Sequence, residues 1–146
     1  MVNVFRVLVL ICGALLCGCT TNDFRFVVSA RGGAREGGIT DLQYSKLVAV
    51  CSRVAARHGL QKEEGRGVQP GGSLFAVPKA LHNFVGPSIY VAPRGLAPEG
   101  LVVVSGEGSN TPGRDRDMLV ADLQPELRRE FGTANVQGAP YHWTDF

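Results

Sequence analysis

The chain has 146 residues, 45% of them hydrophobic, and a formal net charge of +2 at neutral pH. That charge is too small to imply a nucleic-acid partner, and no block of five like charges occurs. Nineteen glycines and eight prolines make the chain rich in turns, yet the apolar fraction is that of a globular protein. In chain order the first feature is a hydrophobic run. Arg6 is the single charged residue within residues 1–19, and residues 7–16 are apolar, interrupted by small Cys12 and Gly13. A cationic start followed by about ten apolar residues has the length of a secretory h-region, roughly 7–15 residues. A membrane-spanning helix needs about 20, and Thr20, Thr21, Asn22 and Asp23 end the run at once. A core helix is disfavoured because the stretch has no polar face.

Leu16, Cys17, Gly18 and Cys19 close that run. They resemble the lipobox of bacterial lipoproteins: Leu three places before the modified cysteine, a small residue next, then Gly, then Cys19. Cys17 departs from the more usual Ala, Ser or Thr at its position but keeps the small size. The resemblance implies diacylglyceryl transfer to the Cys19 thiol, cleavage after Gly18, and acylation of the new amino terminus. Cys12 and Cys17 do not fit as modified residues, because Ile11 and Leu16 would stand where a small residue is needed. One acyl chain gives only marginal membrane binding, at about 0.8 kcal/mol per buried methylene, whereas two or three would hold the protein firmly. Thr20 after Cys19, where an Asp often retains lipoproteins on the inner membrane of enteric-type bacteria, favours the outer membrane. The expected address is therefore the cell membrane or outer membrane, lipid-anchored and facing the periplasm. Ordinary secretion and an uncleaved anchor are the alternatives.

This reading divides the chain into a signal peptide (1–18), a short tether (19–23) and one globular domain (24–146). Removing 18 of 146 residues leaves 128, ample for a single domain. Of four cysteines only Cys19 and Cys51 would remain. With Cys19 acylated, Cys51 has no partner, so no disulfide framework holds the fold.

Residues 24–30 are aromatic and β-branched and read as a first strand. Residues 31–38, with four glycines, read as a loop. Thr40 and Gln43 have capping-box spacing. A helix then runs to about His58, with Tyr44, Leu47, Val48, Cys51 and Ala55 on one stripe. Gly59 and Leu60 suit a Schellman stop. Cys51 lies within the stripe and reads as a small buried hydrophobe. Residues 61–72 read as loop, and residues 73–78, 87–92 and 100–105 as strands, the last two joined by a hairpin connection at 93–99. After a turn-rich stretch at 105–114, Leu119, Leu123, Leu127 and Phe131 mark a second helix over 116–131. Pro125 would kink it or mark its start, and Gly132 would end it. Residues 134–136 read as a final strand, and Pro140, Tyr141, His142 and Trp143 as an aromatic segment packed on the body or exposed. The order β-α-β-β-β-α-β suggests an α+β fold: a small antiparallel or mixed sheet, two helices on one face, in a ferredoxin-like arrangement with one extra strand.

The mature chain carries no G-x-S-x-G, H-E-x-x-H, phosphate-loop G-K-[ST] or C-x-x-C pattern. Gly106, Glu107 and Gly108 resemble the opening of a phosphate loop, but Thr111 stands where the third glycine belongs and Glu107 would repel an anion. His58, His82 and His142 lack a second ligand at helical or turn spacing, so no metal is expected. His58 is placed to favour a helix C-terminus. Arg25, Arg31 and Arg35, near the anchor, could touch anionic head groups at roughly 1 kcal/mol each. The reading that follows is a non-catalytic envelope lipoprotein with a binding or structural role, Cys19 as its lipidation site, and no catalytic or cofactor-binding residues. Its partners are membrane lipid and an envelope protein. An envelope hydrolase with a site assembled from distant residues, and a small-ligand binder, are the alternatives.

Overall fold

In the computed structural model the described residues are 23–29, 39–64, 69–77, 86–94, 101–106 and 113–141. Six strands form one sheet: β1 (Asp23–Val28), β2 (Gln61–Glu63), β3 (Ser73–Ala76), β4 (Pro87–Val91), β5 (Leu101–Gly106) and β6 (Val136–Tyr141). Helices α1 (Asp41–Arg57) and α2 (Gly113–Phe131) accompany them. The spatial order is β2-β3-β4-β5-β1-β6, and every neighbouring pair is antiparallel. The α+β class is thus established. The sheet has six strands rather than the expected five.

Alternation explains the sheet's buried face. Phe26 and Val28 of β1, Phe75 of β3, Ile89 and Val91 of β4, and Val102 and Val104 of β5 are all buried and belong to one core cluster. The helices supply the other half of that cluster through Leu47, Val50, Cys51 and Val54 of α1 and Leu119, Leu123 and Leu127 of α2. Both helices therefore cover the same sheet face. Each Leu of α2 lies four residues after the last, so all three fall on one side of the helix.

The first helix ends as its sequence dictates. Gln43 N–H donates to Thr40 Oγ1 at 3.2 Å, and Thr40 N–H to Gln43 Oε1 at 2.9 Å, which closes the capping box. At the other end Gly59 has φ +71°, Gly59 N–H donates to Ala56 at 3.2 Å and Leu60 N–H to Ala55 at 2.9 Å. This is the Schellman pattern, and it buries Leu60 in the core.

Four expectations are corrected. Residues 61–63 form β2, although Gln-Lys-Glu has no apolar alternation, because an exposed edge strand is held by its pairing with β3. The second helix starts at Gly113 and passes through Pro125, so Pro125 is not its start. The last strand is not 134–136. Thr133–Asn135 is a 3₁₀ turn, and β6 follows it through Gly138 and Pro140. Gln-Gly-Ala-Pro has little intrinsic strand preference, and six residue pairs with β1 impose the conformation. The first strand also begins at Asp23, inside the expected tether, and stops at Val28.

Candidate functional site

Cys19, the expected lipidation site, lies outside the described residues, as do Cys12, Cys17, Arg31, Arg35, His82, His142, Glu107 and Gly108. Gly106 is the last residue of β5. Cys51 is fully buried against the sheet, and burial pushes its thiol up to about 12. It is a packing residue, and at neutral pH it holds no reactive thiolate.

His58 caps α1, and its Nε2 lies 2.8 Å from Asp122 Oδ2 on α2. The pair belongs to a seam of charge between the two helices. Lys46 Nζ lies 3.3 Å from Glu130 Oε1, and Arg57 Nη1 lies 3.1 Å from Glu126 Oε1. Arg53 lies 3.8 Å from the other Glu126 oxygen, and Arg129 also pairs with Glu126. These contacts fix the helices antiparallel: the start of α1 lies by the end of α2. Glu126 has a side chain only 13% exposed among three guanidinium groups. The hydrogen bond from Arg57 is the main cause holding its carboxyl below the usual range. Burial opposes it, and the charges of Arg129, Arg57 and Arg53 assist it.

The sign of the resulting pH dependence follows. A carboxyl whose folded pKa is depressed stabilises the fold above its unfolded value, and that contribution disappears as pH falls through the folded one. Glu126→Gln is therefore expected to lower the urea midpoint at neutral pH and to match wild type well below pH 4.5, the group's ordinary value. A difference that stayed constant across that range would show that its charge is not what matters.

Sequence patterning did not reveal this seam, because its partners are far apart in the chain. A signal did exist. Lys46, Arg53 and Arg57 flank the apolar stripe of α1, and Asp122, Glu126 and Glu130 flank that of α2. Opposite charge on the two borders is what neighbouring antiparallel helices present to each other.

Neither of the two described helices packs on the second sheet face. Registers align Glu63, Leu74, Tyr90, Arg25 and Ala139 across it, with Val103 between Tyr90 and Arg25. Leu74, Tyr90 and Arg25 are half-buried, and burial raises the Tyr90 hydroxyl pKa. Tyr44 of α1 ties the helix to the sheet: its O–H is directed at both Ala92 O, 2.8 Å away, and Gly71 O, 2.9 Å away. Burial, then Tyr90 and Cys51, raise its pKa, so it remains a neutral donor.

The β6 edge is poorly suited to pairing with another strand. Ser29 N–H donates to Asn135 O in the same register as β1 and β6, so Gln137 and Ala139 direct their backbone groups at β1. Val136, Gly138 and Pro140 direct theirs outward. Val136 N–H already donates to Thr133 O, and Pro140 has none. The outer edge of β6 thus offers at most one N–H, that of Gly138, over those five residues.

Among the described residues no group of three or more His, Cys, Asp or Glu side chains could hold a metal ion, and no helix is long and apolar enough to cross a membrane. No protein-family model, curated protein or solved structure matches the chain.

Proposed function

We propose that the protein is a bacterial envelope lipoprotein, anchored through Cys19, whose small α+β domain has a non-catalytic binding or structural role. The observation that carries this reading is the succession of Arg6, the apolar residues 7–16, and Leu16-Cys17-Gly18-Cys19. Each part has a separate physical task. The cation and the short apolar run direct export, the small Cys17 and Gly18 admit the processing enzymes, and the Cys19 thiol accepts the lipid. The domain is placed at the cell membrane or outer membrane, facing the periplasm. An envelope protein partner would meet it there. The seam of ion pairs supports a structural reading of His58, because its Asp122 neighbour belongs to a set of charges that joins two helices.

We also infer that β4, β5, β1 and β6, with α1 and α2, form a ferredoxin-like unit, and that β2 and β3 are a hairpin added at its β4 edge. The strand order supports this, because each helix then links two strands that have one strand between them.

Growth with radioactive palmitate tests the anchor. Wild-type protein is expected to take up label and fractionate with membranes, and Cys19→Ala is expected to do neither. Equal labelling of the two would exclude Cys19 as the site.

A further inference from the structure

We infer that the domain stands on the bilayer by one particular end, where the row Gln61, Ala76, Ser88, Ser105, Asp23 and Tyr141 crosses the sheet. This rests on Cys19 being the lipidated residue. Three residues, Thr20, Thr21 and Asn22, separate Cys19 from the first residue of β1. Four residue steps reach at most about 14 Å, at roughly 3.5 Å each. Asp23 must therefore lie within that distance of the lipid.

Strand registers show what else lies at Asp23's end. Asp23 pairs with Tyr141, Ser88 with Ser105, and Gln61 with Ala76, so β1, β2 and β4 start here and β3, β5 and β6 finish here. The last turn of α1 descends to this end through Gly59 and Leu60, and the first turn of α2 rises from it. The opposite end holds the start of α1. There Asp41 pairs with Arg94, and Tyr44 reaches Gly71 and Ala92. With 17 residues at about 1.5 Å each, α1 sets the two ends roughly 25 Å apart.

The flanks give no reason for the domain to lie on its side. The two helices together carry seven Lys or Arg and six Asp or Glu residues, so their side of the domain is close to neutral. The sheet face opposite the two described helices carries Glu63 and Arg25 beside half-buried Leu74 and Tyr90. Large exposed hydrophobic side chains occur among the described residues at Leu42 and Met118, in the first turn of α1 and the second turn of α2. Met118, in the second turn of α2, belongs to the anchor end. Leu42, 68% exposed, stands at the opposite end, in the first turn of α1.

Depth-dependent quenching tests this orientation. The full-length protein is expressed in a bacterium with Gln61→Cys, Ser52→Cys or Leu42→Cys, purified from membranes and labelled with a fluorescent maleimide. All three positions are exposed. Cys51 does not compete for the label, being buried with its thiol pushed up to about 12. Each sample is reconstituted in phosphatidylethanolamine and phosphatidylglycerol vesicles containing lipid with a nitroxide head group. Quenching is expected to fall in the order Gln61, Ser52, Leu42, and to be about threefold stronger at Gln61 than at Leu42, given roughly 25 Å of helix between the ends. Mass spectrometry of the N-terminal peptide from the same samples reports acylation of Cys19. Acylated protein with equal quenching at all three positions, or with the order reversed, overturns the orientation and leaves the anchor standing. Protein without acyl chains on Cys19 overturns both.

Discussion

Leu123→Ala is expected to destabilise the domain by roughly 2–5 kcal/mol, the usual cost of emptying a leucine site in a packed core. Leu123 is fully buried, midway along the stripe that α2 lays on the sheet, with Leu119 and Leu127 one turn to either side. The loss combines the transfer of three carbons, Cγ, Cδ1 and Cδ2, from apolar surroundings and a cavity that neighbours close only in part. A domain of this size is stable by only about 5–15 kcal/mol, so the change removes a large share of the total. No disulfide among the described residues offsets it, since Cys51 is a free, buried thiol. Leu42→Ala provides the contrast on the other helix. Leu42 is 68% exposed, and its loss is expected to stay within about 0.5 kcal/mol. Urea unfolding checks both, read as a shift in midpoint at unchanged slope. A Leu123→Ala midpoint no lower than that of Leu42→Ala would refute the packing of α2.

The stripe on which that prediction depends was legible in the sequence, because the spacing of Leu119, Leu123, Leu127 and Phe131 reports directly on a helix with one apolar side. The same holds for Thr40 and Gln43, and for Gly59 and Leu60, whose effects act within a turn of the chain. Strands β3, β4 and β5 were legible from short β-branched and aromatic runs. What was not legible depends on a partner distant in sequence. Gln61, Lys62 and Glu63 have no pattern of their own and become a strand because β3 lies alongside. Gln137 to Pro140 have no strand pattern of their own and become β6 because β1 offers a row of backbone groups. The helix seam at Glu126 escaped for the same reason: nothing local to Glu126 announces that Arg53 and Arg57 will stand opposite. The candidate site is a different case. The proposal for Cys19 rests on four consecutive residues, since a processing signal is recognised as sequence and owes nothing to the domain that follows it.

Gly138→Ala is expected to cost about 1–3 kcal/mol, the range for added volume in a packed site, and the cause is space rather than backbone conformation. Gly138 is not among the glycines with positive φ, which are Gly59, Gly71 and Gly132 among the described residues. Its Cα partner on β1 is Phe26, and Phe24 is the partner of Pro140. A Cβ at position 138 would come within 2.9 Å of Cε1 on both rings and 3.1 Å of Cζ on Phe24. The two rings are 5.1 Å apart between centroids, tilted by 55°, and they occupy the place a side chain would take. Phe26 is fully buried and has nowhere to go; Phe24 is only partly buried. The relief should therefore come from Phe24. Phe24→Leu alone removes ring contacts and lowers stability, yet together with Gly138→Ala it is expected to cost less than the sum of the two changes. A double-mutant cycle on urea midpoints measures the coupling, expected at about 0.5–3 kcal/mol for residues in contact. Strict additivity would mean that the ring of Phe24 is not what excludes a side chain from position 138. Gly138→Val adds two methyl groups to the same collision, and its cost should exceed that of the alanine variant while Phe24 is present.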